Sequence, residues 1–287
     1  MTEVYTVIEQ LEKEDAVSLS CQTLGVSRSA YYAWRQDGCS MRQREDNRLK
    51  PLIRSIFWEN KRRYGVRRIA DQLADRKQPC SRRRVGRLMK QMGLMAIQPR
   101  SFKPRTTDSR HTLGYNRNLL IDAPPPDGMN QLWVGDISYL PLVSGDFVYL
   151  AILMDRYSRR IVEWDLQDHM QESLILATLR GAIASRRPKP GLIHHTDRGG
   201  QYAGAEYRGM LHRARMEQSM SRANNCYDNA FMESCFGTIK TELEMKPYKN
   251  ERIAKTEILD YIRYYNTRRK HSALSYLSPD EFERTVG

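Results

Sequence analysis

LWVGDISYL, residues 132–140, alternates so that Leu132, Val134 and Asp136 share one side of a pleat while Trp133, Gly135 and Ile137 share the other. Both sides are apolar except at Asp136. A strand covered on both faces tolerates a carboxylate only where it is paired or holds a metal; an exposed strand end is the alternative for Asp136. Two further runs, DFVYLAILMD (146–155) and RIVEWDL (160–166), are rich in β-branched and aromatic residues, and Ser144 to Asp146 and Arg156 to Arg160 separate them as turns. Three sequential antiparallel strands are expected. Beyond them the pattern predicts a helix at 171–186, a short strand in GLIHHT (191–196), a helix near 203–214, a short strand in EQSMS (217–221), a helix through Glu233 and a last helix in 252–268. Strands first, then helices interleaved with single strands, read as an α/β fold with a mixed sheet.

Two more acids stand out against that frame. Asp197 follows the apolar run of GLIHHTDRGGQY and opens a loop in which Gly199 and Gly200 let backbone approach a ligand. With thirty-five residues between them, Glu233 follows in NNCYDNAFMESCFGTIK. There Met232, Phe236, Ile239 and Leu243 form an apolar stripe, and Glu233, Gly237, Lys240 and Glu244 form a second line. Glu233 and Lys240 therefore point the same way, two turns apart, with Gly237 leaving room between them. An ordinary solvent face explains the line equally well but not its glycine. Three carboxylates gathered at a sheet edge and a helix make a hard-oxygen site suited to Mg²⁺, and two such ions can activate water and stabilise a leaving oxygen in phosphodiester cleavage. His194 and His195 have no third nitrogen or sulfur ligand at matching spacing, so they read as packed strand residues.

The chain has 287 residues and a net charge of +13, which points to a polyanionic partner. The charge is uneven: residues 1–126 carry 25 Lys and Arg against 13 Asp and Glu, and residues 127–287 carry 22 against 21. Within 47–105 the ratio is 18 to 3, an excess that would repel itself without phosphates nearby. The five cysteines are scattered without zinc spacing and read as reduced thiols. No apolar run approaches a membrane span and the acidic start is not a signal peptide, so a soluble intracellular protein is expected.

Residues 16–35 have the proportions of a helix-turn-helix, with Gly25 at the turn, Ser27 as N-cap and Arg28 at the front of the second helix; a plain helical hairpin is the equal alternative. Residues 47–95 form a second unit in which Ser81 caps SRRRVGRLMKQMG and Gly93 closes it, crowding Arg82, Arg83, Arg84 and Arg87 into its first turns. Residues 98–130, with a triple proline at 124–126, lack periodicity and read as a linker.

WVGDISYL, HHTDRGGQY, SMSRANNCYDNAFMESCFGTIKTE and YYNTRRKHSALSYLSP resemble the blocks of bacterial insertion-sequence transposases of the insertion-sequence-three family, in the form encoded by the downstream reading frame. The catalytic core of that family is similar to retroviral integrase. LGVSRSAYYAW and RRYGVRRIADQL extend the resemblance over nearly the whole chain. It implies a ribonuclease-H-like mixed sheet flanked by helices at 131–287, preceded by helix-turn-helix modules at 1–45 and 46–105 and a linker at 106–130. Asp136, Asp197 and Glu233 are then the catalytic triad, binding two Mg²⁺ ions for which Mn²⁺ can substitute. Water first cleaves each element end, and the freed 3′-hydroxyl then attacks a DNA strand with no covalent protein intermediate. Lys240 matches a basic residue two turns after the glutamate, and Arg268, Arg269 and His271 match a basic C-terminal block; with Arg28, Arg67, Arg68, Arg82, Arg83, Arg84 and Arg87 they are the expected DNA contacts. Expected partners are duplex DNA, as element terminal repeats and as target, further copies of the chain, and the upstream-frame product or its fusion. The expected location is the bacterial cytoplasm, on the nucleoid when bound. The chain starts where the downstream frame usually begins, no sustained heptad precedes residue 50, and the zinc module of retroviral integrases has no counterpart. A catalytically silent regulator of transposition and a structure-specific nuclease are the alternatives; retention of all three acids and Lys240 argues against decay.

Overall fold

The computed structural model describes residues 2–12, 16–35, 41–98, 114–121, 123–222, 226–244 and 246–287. Cys39, the basic residues Arg100, Lys103 and Arg105, and the first part of the expected linker lie outside the described residues. The chain divides into two compact units, one ending at Ala96 and one beginning at Ile97.

The first unit is all-helical. Helices α1 (Thr2–Leu11), α2 (Val17–Thr23) and α3 (Arg28–Arg35) close over Tyr5, Ile8, Cys21 and Tyr31. The α2–α3 turn follows its sequence signals: Gly25 adopts φ +66° and the Ser27 hydroxyl accepts from the Ala30 N–H at 3.1 Å. Helix α1 had no expectation attached to it, although Tyr5 and Ile8 sit at helical spacing and supply part of this small core. Helices α4 (Met41–Glu59), α5 (Val66–Asp75) and α6 (Arg82–Gln91) bury Ile53, Ile56, Phe57, Ile69, Leu73, Val85 and Leu88. Ser81 caps α6 by accepting from Arg84 N at 3.3 Å, and Gly93 ends it at φ +65°.

The second unit holds a five-stranded sheet of order β3-β2-β1-β4-β5. Strands β1 (Leu132–Pro141), β2 (Phe147–Asp155) and β3 (Ile161–Gln167) form an antiparallel meander, and β4 (Ile193–Thr196) and β5 (Glu217–Met220) continue it in parallel beyond β1. The crossovers are α7 (Glu172–Arg186) and α8 (Ala205–Arg213), and the chain closes with α9 (Ala230–Glu242), α10 (Glu251–Thr267) and α11 (Pro279–Val286). Alternation along β1 splits the core as expected. Leu132 and Val134 join Met232, Phe236, Ile239, Ile258 and Tyr261 of α9 and α10 on one face. Trp133 joins Leu174, Leu179, Tyr207 and Leu211 of α7 and α8 on the other.

Gly135 sits where the faces are tightest. A Cβ there would come within 2.9 Å of His194 Cε1 and 3.1 Å of a Leu153 methyl, both in packed neighbouring strands. Gly135→Ala is accordingly expected to lower stability by about 1–3 kcal/mol through overpacking, read as a fall in the thermal midpoint. An unchanged midpoint would mean that His194 can move aside.

Two features depart from expectation. Residues 114–121, read as linker, lie along the outer edge of β5: Met220 N donates to Arg117 O at 3.4 Å, Leu119 N donates to Ser219 Oγ at 2.9 Å, and the Asn116 amide donates to Gln218 Oε1 at 2.7 Å. The segment is ordered by hydrogen bonds and has no apolar period to betray it. Helix α11 was also unforeseen, yet Ser278 and Glu281 form a reciprocal capping box with Pro279 in its first turn.

Candidate active site

The three acids arrive on different elements. Asp136 lies mid-way along β1, opposite Ile152 of β2. The parallel register pairs Val134 with His195, so two residues on, where β4 has ended at Thr196, Asp197 comes alongside Asp136. Glu233 occupies the first turn of α9 and is exposed. The side chains of Asp136 and Asp197 are partly buried. Asp136 Oδ1 accepts from Ile137 N at 2.8 Å and Asp197 Oδ1 from Gly199 N at 2.9 Å.

These carboxylates feel one another. Burial, followed by the charge of Asp197, pushes Asp136 well above the usual carboxylate range; Glu233 adds to the rise, while the Ile137 N–H and Lys240 oppose it. The arrangement therefore concentrates negative charge around Asp136, only partly offset by Lys240, and a hard cation would relieve it further. Among the described residues no three His, Cys, Asp or Glu side chains stand close enough to form a finished metal cage. The donor set itself, all carboxylate oxygen, fits Mg²⁺.

The two histidines that precede Asp197 on β4 are neutral. His194 is fully buried against the Tyr207 hydroxyl at 2.5 Å, and His195 lies between Ser219 Oγ at 2.8 Å and Ser221 Oγ at 3.2 Å. Both imidazoles are thus hydrogen-bonded within the core, in line with the sequence reading. Burial brings His194 down to about 3, reinforced by His195. A base whose folded value is depressed binds its proton more readily when unfolded, so stability is flat above about pH 6.5 and falls as pH drops toward 3. The expected loss is about 1.4 kcal/mol per pH unit from this residue. Burial likewise brings His195 down to about 4, so denaturant titrations at pH 7, 6 and 5 should show the combined loss and His194→Gln should remove only its own share; a pH-independent midpoint would refute the neutral assignment.

The loop leading to α9 is held by Asp228, which accepts from Arg222 N at 2.8 Å, Nε at 3.1 Å and Nη2 at 3.0 Å. The Arg222 contacts bring its carboxyl to about 2. This pair, six residues apart, was not singled out in the sequence, although it lies within the block that carries Glu233.

An integrase core domain model matches residues 126–226, a second integrase core model residues 214–279, and an HTH-like domain model residues 44–102. A 31 kDa protein of insertion element IS600 from Shigella sonnei is 40% identical over 91% of this chain and 96% of its own length. Transposase InsF of IS3A from Escherichia coli K12 is 34% identical over 97% of this chain and 98% of its own. The chain belongs to the insertion-sequence-three family of transposases. The transposase of element IS904 from Lactococcus lactis is 38% identical over 85% of this chain and 97% of its own length. Among solved structures, a chain of the simian T-cell lymphotropic virus intasome superposes with a TM-score of 0.46 at 14% identity, covering 74% of this chain and 70% of that one.

The basic side chains expected to meet DNA have three kinds of surroundings. Arg28, Arg67, Arg82, Arg83 and Arg268 are exposed. Arg82 and Arg83 stand at the positive end of the α6 dipole, a placement that costs stability unless anions approach. Lys240 is partly buried, its Nζ 4.9 Å from the Tyr139 ring centroid and within the field of Asp136. The remainder are engaged internally. Arg84 Nε donates to Asp46 Oδ1 at 2.8 Å and Arg87 Nη2 to Asp46 Oδ2 at 2.6 Å, with Glu45 also on Arg84 at 2.9 Å. Asp46 is buried in α4, and although burial works against its charge, these two arginines hold it below the ordinary range. Arg68 lies over the Tyr64 ring at 5.5 Å and donates to Arg63 O at 3.4 Å.

Arg269 corrects the expectation most clearly. It is buried, with Nε and Nη2 both donating to Glu242 Oε1 at 2.9 and 2.8 Å, and it joins the end of α9 to the chain leaving α10. His271 packs edge-on against Tyr265 at 4.7 Å. Charge counting could not separate these from free cations, because their acidic partners lie 27 or about 40 residues away in sequence. Glu244 likewise falls beyond the end of α9, at φ +50°, and leaves the Glu233 line. Among the described residues no helix is long and apolar enough to cross a membrane.

Proposed function

We propose that the chain cuts and joins the DNA ends of its insertion sequence, using Asp136, Asp197 and Glu233 as the catalytic acids. The observation that carries the reading is that Asp136 on β1 and Asp197 just past β4 come alongside each other, with Glu233 of α9 near enough to add to the rise of the Asp136 carboxyl. The three acids would hold one or two Mg²⁺ ions, with Mn²⁺ able to substitute, and the metal would supply charge stabilisation to the attacking and leaving oxygens. Water attacks the phosphodiester at each element end and frees a 3′-hydroxyl. That hydroxyl then attacks a target-strand phosphorus, forming one phosphodiester as another breaks.

The protein's own nucleophiles support a route without a covalent intermediate. Burial raises the Cys235 thiol to about 12, and burial raises the Tyr202 phenol, which feels both aspartates, well above its ordinary value. Neither is poised to attack. Lys240, beside the acids, would hold a neighbouring phosphate, and the open space around Gly237 admits the strand between them. The exposed Arg82 and Arg83, with Arg67 and Arg28, would bind the phosphates of the terminal repeats. Cutting two ends together calls for more than one copy of the chain, and the upstream-frame product is a further candidate partner.

The experiment is direct: purified chain, Mg²⁺ and a labelled duplex bearing the inverted repeat that flanks its own coding region, assayed for nicked and joined products. Joined products support a transposase able to act by itself. Binding without cutting, also in the presence of the upstream-frame product, would favour the regulatory reading.

A further inference from the structure

The turn between β2 and β3 reads Arg156-Tyr157-Ser158-Arg159-Arg160, and its arginines have different fates. Arg160 is paired with Asp280 and lies 3.8 Å from Glu283. Arg156 and Arg159 have neither acid. Their guanidinium carbons lie 3.4 and 4.2 Å from the centroid of the same ring, Phe231 of α9. Both side chains are partly buried, and Arg156 Nε is buried without a hydrogen-bond partner. Burial, then repulsion from Arg159, brings Arg156 down to about 10.

Stacking on an aromatic ring occupies the face of a guanidinium and leaves its in-plane N–H groups available, the geometry in which arginine grips a phosphate bidentately. Two arginines at these distances from one centroid flank its two faces, and with no described carboxylate between them each can present N–H groups to a backbone phosphate. Phe231 precedes Glu233 by two residues on α9, whereas Lys240 follows it by two turns.

We propose that Arg156 and Arg159, held on Phe231, form a phosphate-binding site that grips the DNA backbone at the start of α9, before Glu233, while Lys240 grips it beyond. The proposal rests on the reading of DNA as the substrate of the acidic site. It assigns the β2–β3 turn to strand placement, and it explains why two cations are kept half-buried beside a helix that also carries a catalytic acid.

Binding of the full chain to a fluorescent duplex is measured by anisotropy in EDTA over a range of KCl, for the parent chain and for Arg156→Gln/Arg159→Gln. Loss of one to two phosphate contacts should make the slope of log K against log salt shallower by about 1–2, and should weaken binding roughly tenfold or more near physiological salt. If the double variant does not fold, the single variants Arg156→Gln and Arg159→Gln should each show about half the change in slope. An unchanged slope in a variant with parental melting overturns the proposal. So does an unchanged slope accompanied by loss of an oligomer in light scattering, which would hand the arginines to carboxylates of a second copy. Because binding is read without metal, failure of the proposed chemistry would show separately, as cleavage surviving Asp197→Asn.

Discussion

Asp197→Asn should leave the chain folded and bound to DNA while lowering cleavage and strand transfer by roughly a thousandfold or more, about 4 kcal/mol of transition-state stabilisation. The substitution keeps the shape of the side chain and an oxygen that can accept from Gly199 N, so the loop after β4 retains its hydrogen bond. What goes is one negative charge from a site built of three. Asp136 reports the change independently of activity: with Asp197 neutral, one of the groups that raises its pKa is gone, and its carboxyl should titrate lower, measurable by NMR of a labelled aspartate. DNA affinity in EDTA should be the same as in the parent chain or higher, since a like charge near the phosphates has been removed. Full cleavage by Asp197→Asn would sink the assignment of the triad. Lost binding together with lost activity would sink the division between a basic front and an acidic core.

Glu242→Ala should be among the most damaging single changes to the fold. Glu242 and Arg269 are each only 7% exposed at the side chain, and Glu242 also accepts from the Tyr261 hydroxyl at 3.0 Å. Removing the acid leaves a guanidinium buried without its partner, a loss of about 3–5 kcal/mol. For a unit of this size that corresponds to a fall in thermal midpoint on the order of 10 °C. Replacing both partners by well-packed apolar residues, Glu242→Met with Arg269→Leu, should recover most of it, because neither charge is then stranded. The contrast separates the two roles considered for Arg269. A core ion pair shows a large fall for the single changes and recovery in the double, whereas a phosphate contact would show weakened DNA binding with the midpoint unmoved.

The sheet was legible because its signal is local. β1 to β3 are apolar runs bounded by turns, and burial on both faces of β1 follows from the lack of any polar face other than at Asp136. Asp136 and Asp197 stood out for the complementary reason, as exceptions to that pattern with glycines near them, and the register brings the two alongside each other. Segment 114–121 was not legible, since hydrogen bonds to β5 order it and no apolar spacing announces them. Nor were the arginine roles. Whether Arg84, Arg160 or Arg269 meets an acid or solvent depends on partners brought in from Asp46, Asp280 and Glu242, and composition counts all three alike as positive charge.

The strip of chain along β5 has a consequence for how copies of the protein can meet. The exposed border of a β-sheet is adhesive, inviting a second molecule to continue the ladder. Here the Met220 amide is already taken by Arg117 and the Ser219 hydroxyl by Leu119, so the sheet is hemmed on that side. A second copy cannot simply continue the ladder across β5. Any association on that side would run through side chains, which part more readily than a shared sheet.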